Sequence, residues 1–339
     1  MVEGVSLALS MRVLVNLESL NMAESVGNVT RHRKAPVVVK TGAGEYRLIY
    51  VPVISGMTLA HHYQHQLAKT AHSMGLNVTN MSLLGYFMKF SDDKIINSYY
   101  PEVKDKVSKK KSPCENEKAI VEACTVADVG GFLYTEATLK RTSRFSFTYL
   151  MPALDAVEKG AAGVYPQLHV RYTPEARKGE QALIYVDNAS ALYTLSFLLE
   201  ASKISRLDSC PAMGMEGDLG AEERAKRFKA SIEALAAMLG NMYFGAKRSR
   251  SMPHWQVESI VVVASRGVVP FIPSPGHTPD YMLDTAKRLQ AQAKVAGVRE
   301  YKLTYYTTTD TGKPAMGEEA GTLEEAIKAA ADWALERLA

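Results

Sequence analysis

The 339-residue chain predicts an α+β fold in which helices cover one face of a mostly antiparallel sheet. Two observations predict it. Strand-like and helix-like segments follow as strand, strand, helix, long insertion, strands, two helices, strand, helix, strand, helix, which is not the regular alternation of a parallel sheet. Apolar residues make up 47% and charged residues 22%, enough for a core in one large or two medium domains and against wholesale disorder.

VSLALSMRVLVN at 5–16 reads as the first strand and RLIYVPVI at 47–54 as the next. Ser55 caps a helix through TLAHHYQHQLAKTAH to about Ser73. Residues 75–118 are polar, irregular and longer than an ordinary connection, which predicts an inserted, partly helical subdomain. RFSFTYLM at 144–151 alternates as a strand. LDAVEKGAAGVYP then breaks the pattern with glycines and Pro166, and QLHVRYTP and EQALIYVDN read as two strands about the charged turn EARKG. ASALYTLSFLLEA at 189–201 reads as a helix. After the loop CPAMGMEGDLG, an amphipathic helix runs from about Ala221 to Gly240, with Glu222 and Glu223 favouring its start. VESIVVVAS at 257–265 is a central-strand candidate and PFIPSPGHTPD a rigid loop. A helix at 279–296, a strand at 301–309 and a helix at 323–338 complete the order.

Net charge is +4, but its distribution is uneven. Residues 1–150 hold 18 Lys+Arg against 13 Asp+Glu, and residues 301–339 hold 4 against 7. Three cysteines, Cys114, Cys124 and Cys210, are too few for a disulfide framework and fit thiols in a reducing compartment. LALSMRVLV is short and interrupted by Arg12, and no run reaches the roughly 18–20 apolar residues of a membrane span. The expected location is cytoplasmic, with no membrane partner.

Groups for covalent or metal chemistry are poorly arranged. His61, His62, His65 and His72 crowd one helix, and His61 and His65 share a face, but His62 stands where a zinc protease needs glutamate. TGAGEY lacks both phosphate-loop patterns, and no GxSxG elbow occurs. The chain is therefore expected to bind rather than catalyse, with no cofactor and no metal.

Four segments combine basic groups with hydroxyls, two of them with glycine as well, which suits phosphate contacts. The first contains Ser25, Gly27, Asn28, Thr30, Arg31, His32, Arg33 and Lys34. The others are KDKVSKKK at 104–111, KRTSR with Lys140, Arg141 and Arg144, and GAKRSR with Lys247, Arg248 and Arg250. Asn28, Arg31, Arg33, Lys34, Lys140, Arg141, Arg144, Arg171, Lys247, Arg248 and Arg250 are the candidate RNA-binding residues; the histidines of the helix read as two packed and two exposed, with an RNA-facing helix end through His61 and His65 as the alternative. The basic residues are expected to line one groove. Phe145, Phe147 and Tyr149 share one strand face, which reads as core and alternatively as a base-stacking platform.

RVLVNLESLNMAESVGNVTRHRK at 12–34, IYVPVISGMTLAHHYQ at 49–64, KRTSRFSFTYL at 140–150, IYVDNASALYTLSFLLEASKI at 184–204 and NMYFGAKRSRSMPHW at 241–255 resemble, in order, the archaeal DevR-like branch of the backbone subunits of type I-A CRISPR surveillance complexes, the large-copy subunit of Cascade. The resemblance implies a modified RNA-recognition-motif (ferredoxin-like) core over 1–74 and 119–339, with an inserted variable subdomain at 75–118 and a thumb at 152–182. It implies a non-catalytic subunit that stacks with further copies of itself in a right-handed filament along guide RNA (crRNA). It also implies target DNA and the other complex subunits as partners. The alternatives are a metal-dependent RNase of the type III backbone kind, for which Glu18 and Glu24 are the nearest acids, and a metabolic α+β enzyme.

Overall fold

The computed structural model describes residues 3–40, 42, 44–171, 182–295 and 297–338. The strands are β1 (Gly4–Glu18), β2 (Met22–Val26), β3 (Val29–His32), β4 (Lys34–Lys40), β5 (Tyr46–Pro52), β6 (Phe132–Tyr134), β7 (Leu139–Arg141), β8 (Phe145–Phe147), β9 (Met151–Pro152), β10 (Ala162–Arg171), β11 (Ala182–Leu199), β12 (His254–Gly267), β13 (Val298–Thr307) and β14 (Glu318–Glu319). The α-helices are α1 (Gly56–Ser73), α2 (Asn80–Leu83), α3 (Asp93–Tyr99), α4 (Pro113–Ala123), α5 (Thr125–Gly130), α6 (Leu154–Glu158), α7 (Ala221–Gly240), α8 (Tyr281–Val295) and α9 (Leu323–Leu335).

The large sheet runs β14-β13-β12-β1-β11-β3-β2, with β8, β9 and β10 on the far side of β11. Pairing is antiparallel except at β11–β3 and β13–β14. The alternation of VSLALSMRVLV sorts β1 by face. Leu7, Leu9, Met11 and Val13 enter the main core with Tyr193, Leu195 and Phe197 of β11. Ser6, Ser10 and Arg12 face the other side, where Ser10 meets Ser196 at 2.7 Å.

Helices α1, α7 and α9 cover the apolar face, presenting Leu59, Tyr63, Leu67, Phe228, Leu235, Ile327 and Ala330. Ser55 caps α1 as expected, its hydroxyl accepting from the Thr58 amide at 3.3 Å. The expectation of helices on one face only is corrected by α8. Its Met282, Ala286 and Leu289 pack with Val261, Val263, Leu303 and Tyr305 in a second apolar cluster. Ile260, Val262 and Ala264 belong to the first cluster. β12 is therefore apolar on both faces because both are covered.

The same effect explains why 189–201 is not a helix. It is the inner half of the 18-residue strand β11, paired with β1 on one side and β8 and β9 on the other. A strand buried on both faces loses the period-two signature and cannot be told from a buried helix by pattern. Pro166 does not end a strand but lies within β10, opposite Asp187, at the sheet edge where a missing amide is tolerated. The turn read at 175–179 lies outside the described residues, and of Arg171 only the backbone is described.

The insertion at 75–118 is partly helical, as expected, and carries α2, α3 and the start of α4. Phe90, Ile96, Tyr100, Val103 and Cys114 join the main core, and Phe90 stacks on Tyr100 with centroids 4.1 Å apart. Cys114 and Cys210 form a disulfide that spans 96 residues, which corrects the reading of all cysteines as thiols. Folding brings their Cα atoms to 4.6 Å, a proximity that spacing along the chain cannot reveal. Cys124 is a buried thiol. Among the described residues, no helix is long and apolar enough to cross a membrane.

Candidate nucleic-acid interface

The first basic segment forms a β-hairpin, β2–β3, and runs on into β4. Gly27, with φ of +58°, and Asn28 make its turn, and β3 docks in parallel on β11, where the Tyr185 amide donates to the Asn28 carbonyl at 2.8 Å. The hairpin is pinned from below by a buried cluster. The register of β1 shifts between Val15 and Glu18, and Leu17 at the shift takes φ of +59°. The irregularity turns Glu18 inward, where strict alternation from Val15 would turn it out. His32 Nε2 lies 2.6 Å from Glu18 Oε1, and both side chains are fully buried. Glu18 also accepts from the Tyr193 hydroxyl and the Leu20 amide, each at 2.8 Å. Asp187 accepts the His32 amide at 3.0 Å. Burial alone would lower His32. The hydrogen bond and charge of Glu18, helped by the Arg33 carbonyl and Asp187, outweigh it and hold His32 above its ordinary value.

Above this cluster the strands alternate outward. Arg31, Lys34, Tyr185, Asp187 and Pro166 line one open cleft of about 650 Å³. Thr30, Ile184 and Val186 point to the opposite face, where Lys247, Ser249, Arg250 and Ser251 complete a second cleft of about 720 Å³. The expectation of a single groove is corrected: the first and last basic segments flank the β3–β11 ribbon from its two faces, because adjacent residues of a strand point apart.

The 245–250 segment is seated tightly. The Ala246 amide donates to the Leu20 carbonyl at 2.8 Å, and the Gly245 amide to His62 Nε2 at 3.1 Å. A Cβ at Gly245 would lie 2.6 Å from Leu20 Cβ, so only glycine fits. Arg248 stacks over Tyr243 at 4.7 Å and donates to the Met242 carbonyl, so it braces the turn. Burial, then the charge of Arg250, lowers the Lys247 ammonium below its ordinary value.

Asn28, Arg31, Lys34 and Arg250 are exposed, and Arg33 is half-buried. Lys140 is exposed on β7 but lines neither cleft. Arg141 and Arg144 are corrections, since both are buried in ion pairs. Arg141 reaches Glu117 at 2.6 Å and also pairs with Asp128, which Arg227 holds from α7 at 2.9 Å. Arg144 meets Asp208 at 2.9 Å. Burial would raise Glu117, but the Ser209 hydroxyl and amide, the Asp208 amide and Arg141 keep it below the usual carboxylate range. These groups are consumed by the fold and do not face the clefts.

His65 is also engaged, its Nε2 at 3.1 Å from the Leu83 carbonyl, while His61 is exposed with its edge against Phe87. Phe145 and Phe147 pack with Tyr63 and Phe197 as core, whereas Tyr149 is exposed. Glu18, an acid considered for metal chemistry, is spent on His32 and Tyr193. No group of three or more His, Cys, Asp or Glu able to hold a metal occurs among the described residues. Tyr185, His169 and Ser251 line the clefts without having been singled out in the sequence. The signal was the strict alternation of LIYVDN, which places Tyr185 and Asp187 on one face.

A family model described as CRISPR-associated negative auto-regulator DevR/Csa2 matches residues 9–286. The chain is 42% identical over 287 residues to the "CRISPR-associated aCascade subunit Cas7/Csa2 2" of Saccharolobus solfataricus, covering 83% of this chain and 85% of the relative. It is 31% identical to "CRISPR-associated protein Cas7/Csa2 1" of the same organism, covering 92% and 95%. A solved chain described as "CRISPR RNA-guided surveillance complex, pre-nicking" superposes with a TM-score of 0.55 at 10% identity, over 97% of this chain and all (100%) of the other, a likeness of fold.

Proposed function

The chain belongs to the CRISPR-associated DevR/Csa2 (Cas7) family, and from that premise we propose that it is a non-catalytic crRNA-binding backbone subunit of a type I surveillance complex. The observation that carries the binding role is the pair of open clefts astride β3 and β11, with Arg31 and Lys34 on one face and Lys247 and Arg250 on the other. Exposed cations on a hairpin edge suit a sugar–phosphate chain and read no sequence, as a subunit that accepts any guide requires.

The connectivity supports an RNA-recognition-like core. β1, α1, β8–β9, β11, α7 and β12 follow one another as βαββαβ, with sheet order β12-β1-β11-β8/β9 and both helices on one face. Residues 152–182, which contain β10 and end where β11 begins, are the proposed thumb, and residues 75–118 the proposed variable region. Further copies of the chain, target DNA and other complex subunits are the proposed partners, in a cytoplasmic setting.

The test is binding of a guide-length RNA across a salt series, with magnesium present and the RNA checked for cuts. Tight, salt-sensitive binding to unrelated sequences with the RNA intact is expected. Absence of binding at low salt, or cleavage, overturns the proposal.

A further inference from the structure

The histidine-rich helix α1 lines neither cleft, yet one of its histidines holds the loop that serves the second. His62 Nδ1 lies 2.8 Å from the Thr58 carbonyl one turn back, and its Nε2 lies 3.1 Å from the Gly245 amide. A carbonyl can only accept and an amide N–H can only donate. The proton therefore sits on Nδ1, and Nε2 is the bare acceptor. His62 reaches Gly245 only as the neutral ring.

The loop needs such a hold. Met242, Gly245 and Lys247 take φ of +44°, +86° and +55°, so two residues with side chains stand in the left-handed region. Conformations of this kind persist where the surroundings fix them. Three contacts do so here. The Gly245 amide donates to His62, the Ala246 amide donates to the Leu20 carbonyl at 2.8 Å, and Arg248 donates to the Met242 carbonyl. Of these holds, only the one through His62 uses a group that titrates in mild acid. Lys247 and Arg250, which line the second cleft, follow directly after the anchored residues.

The surroundings of His62 keep the ring neutral. Burial lowers it below its ordinary value, the Thr58 carbonyl opposes this, and His61 and His65 of its own helix and Arg248 of the loop lower it further. In sufficient acid a proton enters on Nε2, where it faces the Gly245 N–H, and the bond is lost.

We propose that His62 is a positioning residue for RNA binding: through the Gly245 amide it holds Lys247 and Arg250 at the second cleft, and it releases them when the ring is protonated. It acts through the loop and not on the RNA. The inference rests on the RNA-binding reading above.

The experiment uses the full chain, a guide-length RNA and fluorescence anisotropy at several salt concentrations. His62→Leu removes the acceptor, and His62→Gln keeps an acceptor that does not titrate. At about pH 7.5, His62→Leu should bind about three- to tenfold more weakly than wild type, the effect of one neutral hydrogen bond, and His62→Gln should rescue it. The salt slope of His62→Leu should fall by about one to two units as two cations leave the strand. In a Lys247→Ala/Arg250→Ala background, His62→Leu should cost nothing more, because the groups it positions are gone. Between about pH 7.5 and about pH 5, wild type should lose about three- to tenfold in affinity relative to His62→Gln. Taking the ratio to His62→Gln cancels the titration of His169, which lines the same cleft.

Parallel pH profiles for wild type and His62→Gln overturn the proposal. That comparison removes no acceptor, so it stands even if His62→Leu fails to fold. Wild-type affinity and slope in His62→Leu overturn it too, as does a loss in His62→Gln equal to that in His62→Leu. Additive losses in the triple variant make His62 a structural support alone and also overturn it. Each of these results leaves the RNA-binding reading intact. Failure of wild type to bind RNA at any salt overturns that reading and this inference together.

Discussion

His32 and Glu18 meet 2.6 Å apart in a pair closed off from solvent, at the point where the end of β1 passes beneath β3. The other ring nitrogen of His32 lies 2.9 Å from the Arg33 carbonyl. Both ring nitrogens thus face oxygen atoms, and these surroundings favour the charged form of the ring. The basic hairpin is anchored to the sheet through a buried charge pair, reinforced by Tyr193 and the Leu20 amide.

The pair makes stability depend on pH with a definite sign. The folded His32 titrates above its unfolded value, so its contribution is complete below the unfolded pKa and is lost as pH rises through the folded one. Urea unfolding between about pH 6 and pH 9 should show a falling midpoint in wild type that is flattened in His32→Gln, whose titration at this site is gone. Parallel pH profiles for the two proteins would remove His32 from the account.

Arg141→Ala should cost about 3–5 kcal/mol of stability, because it leaves buried Glu117 without its cation and Asp128 with a single arginine partner. Lys140→Ala, one residue away on the exposed face, should stay within about 0.5 kcal/mol. Denaturant titration of both separates the roles. A mild effect at Arg141 would contradict the ionic core.

Arg31→Ala and Arg250→Ala should each weaken RNA binding similarly for unrelated sequences and lower the salt slope by about one unit at most. Because the two residues stand on opposite faces of the β3–β11 ribbon, their losses should add in the double variant. Fluorescence anisotropy at several salt concentrations reads both quantities. A changed base preference with an unchanged slope would mean that the residue touches a base edge.

Removing residues 164–180 should leave the core folded, since the cut spares Asp155, the partner of buried Arg12. If the hairpin links successive copies, native mass spectrometry on one guide-length RNA should show fewer copies per strand than wild type. An identical copy distribution would rule out the thumb role.

The sequence marked those elements whose surroundings differ between faces. Ser55 and the Ala221–Gly240 helix were legible because capping chemistry and a polar face survive in the pattern. Residues 189–199 were not, because both faces of β11 are covered and the alternation vanishes. Arg141 and Arg144 were misassigned for a different reason. A basic, hydroxyl-rich pentapeptide has one composition whether it meets phosphate or buried carboxylates, and Glu117, Asp128 and Asp208 converge on it only after folding. The Cys114–Cys210 disulfide was hidden by the same distance along the chain. The Arg31 and Arg250 segments were found because exposure, turn chemistry and charge coincide there.

β11 is a single strand of 18 residues, roughly 60 Å from end to end, whose outer half forms the hairpin with β10 and whose inner half runs beside β1. Within its described length no loop interrupts it. Its inner half is clamped within the sheet, and its outer half is braced by β3 and β10. A load on the hairpin arrives as torque on the middle of the sheet, beside Arg12. If the hairpin links successive copies, the pitch of the assembly follows the stiffness of that clamp.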